Sequence, residues 1–439
     1  MTTTAVRDRW DPLLVCVAGY IATSVGRVHQ LFPVLLPLKP AILTGAAALL
    51  LYVLRPVGRR RPGLVRMPGT TLLILLFGWM ALTIPGALYS GLAFSIVIGN
   101  FLKTVLLYFL IVASVRTVRD VERLALVYFV SAAVYAAVVL MQFQVSDTGV
   151  GWRLGGLFYY DANDFATFAV TAVPLGLYFG FGQRAWGRRL LGMLGLAALS
   201  VAFIWSGSRG GFLALIAVAL YVLVGYRSLP VRWRVLGAVG VTAVMFTVAG
   251  DRYWTQMRTI LHPDQDYNQT EEVGRMKTWR RGIGYMLQNP LLGVGAGNFT
   301  VAEGTLSDRA ELQAYGKGVR WNAAHNTFVQ VGAELGVPGL VLLILLIGSA
   351  FVALHQVARA QMAAPGNERG PPRLTQALMG SMIGFVVGAM FLSLAYGDML
   401  YALIALAMAL RKVAAPQAPA GAPSPRPWMG VSPRRSFQW

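Results

Sequence analysis

Charge is scarce in this sequence. Of its 439 residues, 13% are Asp, Glu, Lys or Arg, against about 25% in soluble globular chains. Acidic residues number 18 against 38 basic ones. The chain is 56% hydrophobic, with a mean hydropathy of +0.58. Together these exclude an ordinary soluble domain. The single cysteine, Cys16, lies in an apolar run; it excludes intrachain disulfides and any cysteine-based metal cluster. His262 and His355 have no metal-ligand spacing to His325. The apolar runs lack period-two alternation, which excludes barrel strands. No Gly-Lys-Ser/Thr follows the glycine-rich stretch, so it is not a phosphate-binding Walker loop.

Long apolar runs recur from Leu13 to Leu410. A run of about 20 residues crosses the hydrocarbon as a helix. Hydropathy predicts an all-α polytopic membrane protein of about twelve spans. They lie near 12–34, 39–55, 70–90, 94–115, 120–143, 162–182, 188–205, 209–226, 233–249, 337–358, 374–395 and 399–412. The N-terminus, with Arg7 and Arg9 and no clean cleavage site, reads as a retained first helix. Four units follow: spans one to nine over 1–249, a long external loop with surface helices over 250–336, spans ten to twelve over 337–412, and a Pro/Ala/Gly-rich tail over 413–439. That composition predicts a disordered tail.

Every second connection is rich in arginine. These include Arg55 to Arg66, Arg116 to Arg123, Arg184 to Arg189, Arg227 to Arg234, Arg359 to Arg373, and Arg411 with Lys412. By the positive-inside rule they are cytoplasmic, as are both termini. This accounts for much of the +20 net charge without nucleic acid as a partner.

Polar groups collect in the other connections. Trp-Ser-Gly-Ser-Arg-Gly-Gly at 205–211 starts a span. Ser206 or Ser208 can cap that helix, Gly210 allows close approach, and Arg209 adds charge at the positive helix end. This is an anion site suited to phosphate. It is equally a plain cap with an arginine reaching toward lipid headgroups. Gly-Arg-Met-Lys-Thr-Trp-Arg-Arg-Gly places Arg275, Trp279 and Gly282 on one helical face, with Arg280 and Arg281 beside them. The simplest alternative for that face is headgroup contact. Asn-Pro-Leu-Leu-Gly-Val-Gly-Ala-Gly-Asn-Phe follows, and its glycines predict a tight turn. His325 and Asn326 then open a short helical stretch, broken by Gly336, Pro338 and Gly339. Glu334 in that stretch is out of phase with His325. Arg153, Asp161, Asn163 and Asp164 flank another external loop. Asp398 lies between the last two spans and can orient His325 if folding joins them. Lys103 falls within a span, where an ionisable residue is costly and invites a functional reading.

In this order, Ser-Gly-Ser-Arg-Gly-Gly, Gly-Arg…Trp-Arg-Arg-Gly…Asn-Pro-Leu-Leu-Gly-Val-Gly-Ala-Gly-Asn-Phe and His-Asn…Glu-Leu-Gly-Val-Pro-Gly resemble the O-antigen ligase and polymerase superfamily, most of all its ligases. The similarity covers about Gly155 to Gly339. The resemblance implies the C-type membrane glycosyltransferase architecture and an inverting transfer with no metal and no other cofactor. The implied donor is an undecaprenyl-diphosphate-linked glycan. The implied acceptor is lipid A–core oligosaccharide at the periplasmic face of a bacterial inner membrane. Arg209 and Arg275 would meet the diphosphate and His325 the acceptor, with Arg280, Arg281 and Asp398 as weaker carry-overs. Ser206, Ser208, Gly210, Trp279, Asn326, Glu334 and Arg153 would support them.

The chemistry agrees with that expectation. A sugar on a lipid diphosphate has a good leaving group and needs charge stabilisation more than a strong acid. Guanidinium groups bind phosphate oxygens in pairs and stay protonated. A histidine, with an unperturbed pKa near 6.5, suits a base at neutral pH. A retaining route would use two close carboxylates, and no convincing pair is visible. An O-antigen polymerase or a protein O-oligosaccharyltransferase would share the same donor motifs. A polyprenyl-glycolipid transporter would place its polar groups near mid-membrane and often carry paired repeats; neither feature is present.

Overall fold

The computed structural model describes residues 10–55, 67–142, 145–147, 152–154, 160–182, 185–227, 229–262, 274–308, 310, 322–362 and 373–414. The described residues form a helical bundle with one short hairpin. Its helices are α1 (Pro12–Ser24), α2 (Pro33–Val53, entered through a 3-10 segment), α3 (Pro68–Thr83), α4 (Ser90–Ser114) and α5 (Val118–Gln142). Strands β1 (Val145–Asp147) and β2 (Trp152–Leu154) pair antiparallel. Then come α6 (Ala162–Gly182), α7 (Trp186–Ser206), α8 (Arg209–Val224) and α9 (Val231–Val248). Three shorter helices follow: α10 (Asp251–Arg258), α11 (Arg275–Gln288) and α12 (Phe299–Thr305). The chain closes with α13 (Thr327–Met362), α14 (Arg373–Ala389) and α15 (Asp398–Ala414). Residues of the tail beyond Ala414 lie outside the described residues.

Among the described residues, seven helices, α2, α4, α5, α6, α7, α9 and α13, are long and apolar enough to cross a membrane. Helices α1, α3 and α8 are shorter apolar helices. The protein is therefore a polytopic membrane protein. Its axis is α15, in which every residue from Met399 to Leu410 is buried. It packs against α4, α5, α13 and α14. A helix enclosed on all sides needs no polar face, which explains its uninterrupted apolar sequence. Helix α9 is the opposite case: only Met245 is buried, so it stands at the rim.

Two boundaries differ from expectation. The first apolar run does not continue to 34. Helix α1 stops at Ser24, and Arg27 takes a left-handed conformation (φ 52°). Tertiary polar contacts cause the stop: Ser24 donates to Asp398 at 2.7 Å, and Arg27 lies 3.6 Å from the same carboxylate. The penultimate run does not continue to 395. Helix α14 ends at Ala389, and residues 390–397 form a loop. Hydropathy cannot see this stop, because Met-Phe-Leu-Ser-Leu-Ala-Tyr is apolar enough to continue. Thr327 captures the Leu392 carbonyl and the Leu394 amide, drawing the backbone out of the helix.

The two ends of the bundle differ in chemistry. At one end the arginine-bearing segments meet. Arg55 and Arg116 share Asp11, Arg123 pairs with Asp120, Arg188 pairs with Glu122, and Arg373 donates to the carbonyls ending α6. The opposite end carries the 390–397 loop. Lys103 is the fourteenth residue of the 25-residue helix α4, close to its middle. Its neighbour Thr104 donates to Asp398 at the start of α15, and Lys103 itself is exposed.

Helix α13 is two helices joined at a break. Gly336 has φ 68° and ψ −172°. A Cβ there would lie 2.3 Å from the Leu291 carbonyl oxygen. Residues 289–297 lace onto this break. Val294 and Gly295 donate to the carbonyls of Ala333 and Glu334, and Val337 donates to Pro290. Trp79 of α3 caps the Leu335 carbonyl at 2.9 Å. The break thus keeps its backbone groups satisfied, as an apolar surrounding demands. Gly293, Gly295 and Gly297 all have positive φ, so the expected tight turn is present, and it grips a helix. Gly336→Ala is expected to lose about 1–3 kcal/mol of stability from backbone strain alone, before the carbonyl clash is counted. Thermal unfolding in detergent measures it, and an unchanged Tm would contradict this account of the break.

Candidate active site

The loop at 390–397 joins elements distant in sequence. At its start, Phe391 packs against the Ser-Gly-Ser-Arg turn: a Cβ on Gly210 would fall 2.7 Å from Phe391 Cβ. Phe391 also faces Trp279 of α11, with ring centroids 6.5 Å apart. The Trp279 indole donates to the Ala324 carbonyl at 2.8 Å, next to His325. Ser393 Oγ accepts the His325 backbone N–H at 2.9 Å. Tyr396 donates to Glu334 Oε2 at 2.5 Å. One eight-residue loop thereby gathers the α7–α8 turn, α11 and the segment opening α13.

The α7–α8 turn follows local rules. Gly207 is left-handed (φ 59°) and ends α7. Ser208 caps α8 by accepting from the Gly211 amide at 3.1 Å, while Ser206 donates back to Phe203. Arg209 is half-buried and donates to Thr259 at 2.6 Å, just beyond α10. Gln256 of α10 donates to the Gly207 carbonyl at 2.9 Å. The helix opening the 250–336 segment therefore sits on this turn. Thr259, which touches Arg209, had no motif to mark it in the sequence.

Helix α11 turns its Thr278–Gly282–Tyr285 side inward. A Cβ on Gly282 would meet Val329 and Phe299, so this face packs on protein. Arg275 is half-buried near its start, and Arg280 is exposed. Arg281 is engaged bidentately by Glu303 of α12, at 2.9 and 2.5 Å. Tyr285 donates to the same carboxylate at 2.8 Å. Glu303 is buried, so separating this pair would strand a charge. The Arg281 guanidinium is thus held within the protein, unlike those of a phosphate clamp.

His325 is half-buried and has φ 46°. Left-handed backbone is uncommon for non-glycine residues and marks places held by their surroundings. Asn326 caps the helix after it, accepting from the Phe328 and Val329 amides at 2.9 and 3.1 Å. Glu334 turns away to the glycine-rich loop, where it accepts from the Gly297 and Phe299 amides at 2.8 and 3.2 Å. The amides that start α12 thus hold the protein's own carboxylate. Desolvation, then the Glu334 charge, raise the Tyr396 phenol well above its usual pKa, so it remains a donor.

Asp398 is committed elsewhere. Its oxygens accept from Ser24 at 2.7 Å and Thr104 at 2.5 Å, with Arg27 at 3.6 Å. These partners point to joining α1, α4 and α15, and not to orienting His325. Asp161 caps α6 through the Asn163 and Asp164 amides, both at 2.7 Å. Arg153 is on β2 opposite Ser146; its side chain lies outside the described residues. Among the described residues, no group of three His, Cys, Asp or Glu side chains is placed to hold a metal ion.

Residues 194–344 match the model of the family described as O-antigen ligase. The match begins within α7 and ends within α13, so it spans the Ser-Gly-Ser-Arg turn, α11 and His325. The loop at 390–397 lies beyond it. No curated protein matches the sequence.

Proposed function

We propose that this chain, residues 194–344 of which match the O-antigen ligase family model, is a membrane glycosyltransferase of the ligase and polymerase type and transfers an O-antigen glycan from undecaprenyl diphosphate to lipid A–core oligosaccharide. The observation that carries this reading is the gathering of His325, the Arg209 turn and the Arg275 helix around one loop at one end of the bundle. That end lies opposite the arginine-rich one, which by the positive-inside rule faces the cytoplasm. The site then faces the periplasm of a bacterial inner membrane. Twelve helices cross, both termini are cytoplasmic, and the architecture is that of C-type glycosyltransferases.

In the proposed reaction the acceptor hydroxyl oxygen attacks the anomeric carbon as the bond to the diphosphate oxygen breaks. His325 takes the hydroxyl proton. Arg209 and Arg275 hold the charge that gathers on the departing undecaprenyl diphosphate. One displacement inverts the anomeric centre, and the arginines do the work a metal would otherwise do. Arg281 has a structural role through Glu303, and Asp398 does the same for α1. Exposed Arg280 reaches lipid headgroups.

The test supplies purified protein and lipid-linked glycan with three acceptors: lipid A–core, a second lipid-linked glycan, and a serine-containing peptide. Sugar on lipid A–core is the expected result. Chain growth on the lipid-linked glycan would make the protein a polymerase, and sugar on the peptide a protein-directed transferase.

A further inference from the structure

We infer that the Ser393 hydroxyl is a further binding group for the acceptor glycan, a proposal that rests on His325 being the base. Ser393 Oγ accepts the His325 amide proton at 2.9 Å. A hydroxyl has one proton to donate and two lone pairs. This bond uses one lone pair and leaves the proton. Among the described residues, the Ser393 side chain makes no other hydrogen bond. It is half-buried, so a ligand at the His325 segment can reach it.

Its position is fixed from both sides. Thr327 Oγ1 donates to the Leu392 carbonyl at 2.8 Å and accepts from the Leu394 amide at 3.0 Å. One threonine thereby pins the residues before and after Ser393, and the same helix start carries His325. Tyr396, three residues on, ties the loop to Glu334 at the far end of the 327–335 segment. The serine and the histidine therefore move as one unit. A site group held this rigidly loses little freedom when substrate binds.

The chemistry selects the partner. Arginines suit the charged diphosphate. A neutral hydroxyl that can still both give a proton and accept one matches another neutral hydroxyl. The acceptor sugar presents such groups beside the oxygen that His325 deprotonates. Ser393 then holds a neighbouring hydroxyl of that sugar and sets which one faces the base. Sites that hydrogen-bond a substrate hydroxyl discriminate strongly, because losing the partner leaves a polar group unpaired.

The experiment compares full-length Ser393→Ala and Ser393→Thr with wild type, using lipid A–core as varied acceptor, and runs His325→Asn in parallel. Ser393→Ala is expected to raise the acceptor KM about tenfold, the effect of roughly one hydrogen bond. The donor KM and the shape of the pH–rate profile stay as in wild type. Ser393→Thr restores the acceptor KM. Ser393→Cys is the second variant should Ser393→Ala fail to fold; its thiol is a weak donor and gives the same rise. An unchanged acceptor KM overturns the proposal, even if kcat falls, since a fall in kcat alone means that Ser393 only supports the His325 backbone. A fully active His325→Asn overturns the base assignment instead, so the two failures are distinct.

Discussion

Replacing His325 by Asn is expected to lower glycan transfer by roughly 10²–10⁴-fold, the usual contribution of a positioned general base. Asparagine is the better probe because His325 has φ 46°. Asn tolerates left-handed backbone, whereas Ala does so poorly. The Asn variant keeps the amide that bonds Ser393 and removes only the imidazole. Donor binding, measured with a labelled lipid-linked glycan, should change little. Near-normal transfer by the purified variant would end the base assignment.

Arg209→Ala is the second large effect. It is expected to lower kcat/KM for the lipid-linked donor by about 10²–10³-fold, the range for removing one group that stabilises transition-state charge. Arg209→Lys should recover little of it, because lysine lacks the planar fork that meets two phosphate oxygens. Thr259→Val separates two meanings of the Arg209–Thr259 bond. It should leave donor turnover within a few-fold of wild type if Thr259 only steadies the guanidinium between turnovers. EDTA should not change the wild-type rate. Inhibition by EDTA that Mg²⁺ reverses would contradict the assignment of charge stabilisation to arginine.

How much was legible in the sequence depended on whether local chemistry sufficed. Span centres were readable because bilayer burial imposes one rule on about 20 residues at a time. A serine cap at the start of α8 was readable because an N-cap needs only a short side chain and an amide three residues on, but only the structure chose Ser208 over Ser206. The break at Gly336 was readable from Gly-Val-Pro-Gly. The role of Arg281 was not, since its fate depends on Glu303, 22 positions away. Asp398 looked like a partner for His325 because both lay in external connections. Its partners Ser24 and Thr104 sit 374 and 294 positions away.

The 390–397 loop was the largest omission. Its residues read as the end of a span because apolar side chains suit lipid and protein interior alike. Nothing local distinguishes Phe391 facing Trp279 from Phe391 facing an acyl chain, or Ser393 under His325 from a serine lost in a helix.

The sequence by itself determined a multi-pass helical membrane protein, the segregation of arginine to alternate connections, and the chemical types available to a site. Each follows from short-range rules: hydrophobic length, loop charge, caps and breaks. Only the tertiary structure decided which charges are held in the frame, as Arg281 is by Glu303 and Asp398 by Ser24 and Thr104. Ion pairing and hydrogen bonding depend on separations of a few ångströms between residues hundreds of positions apart, and that information exists only once the helices have packed.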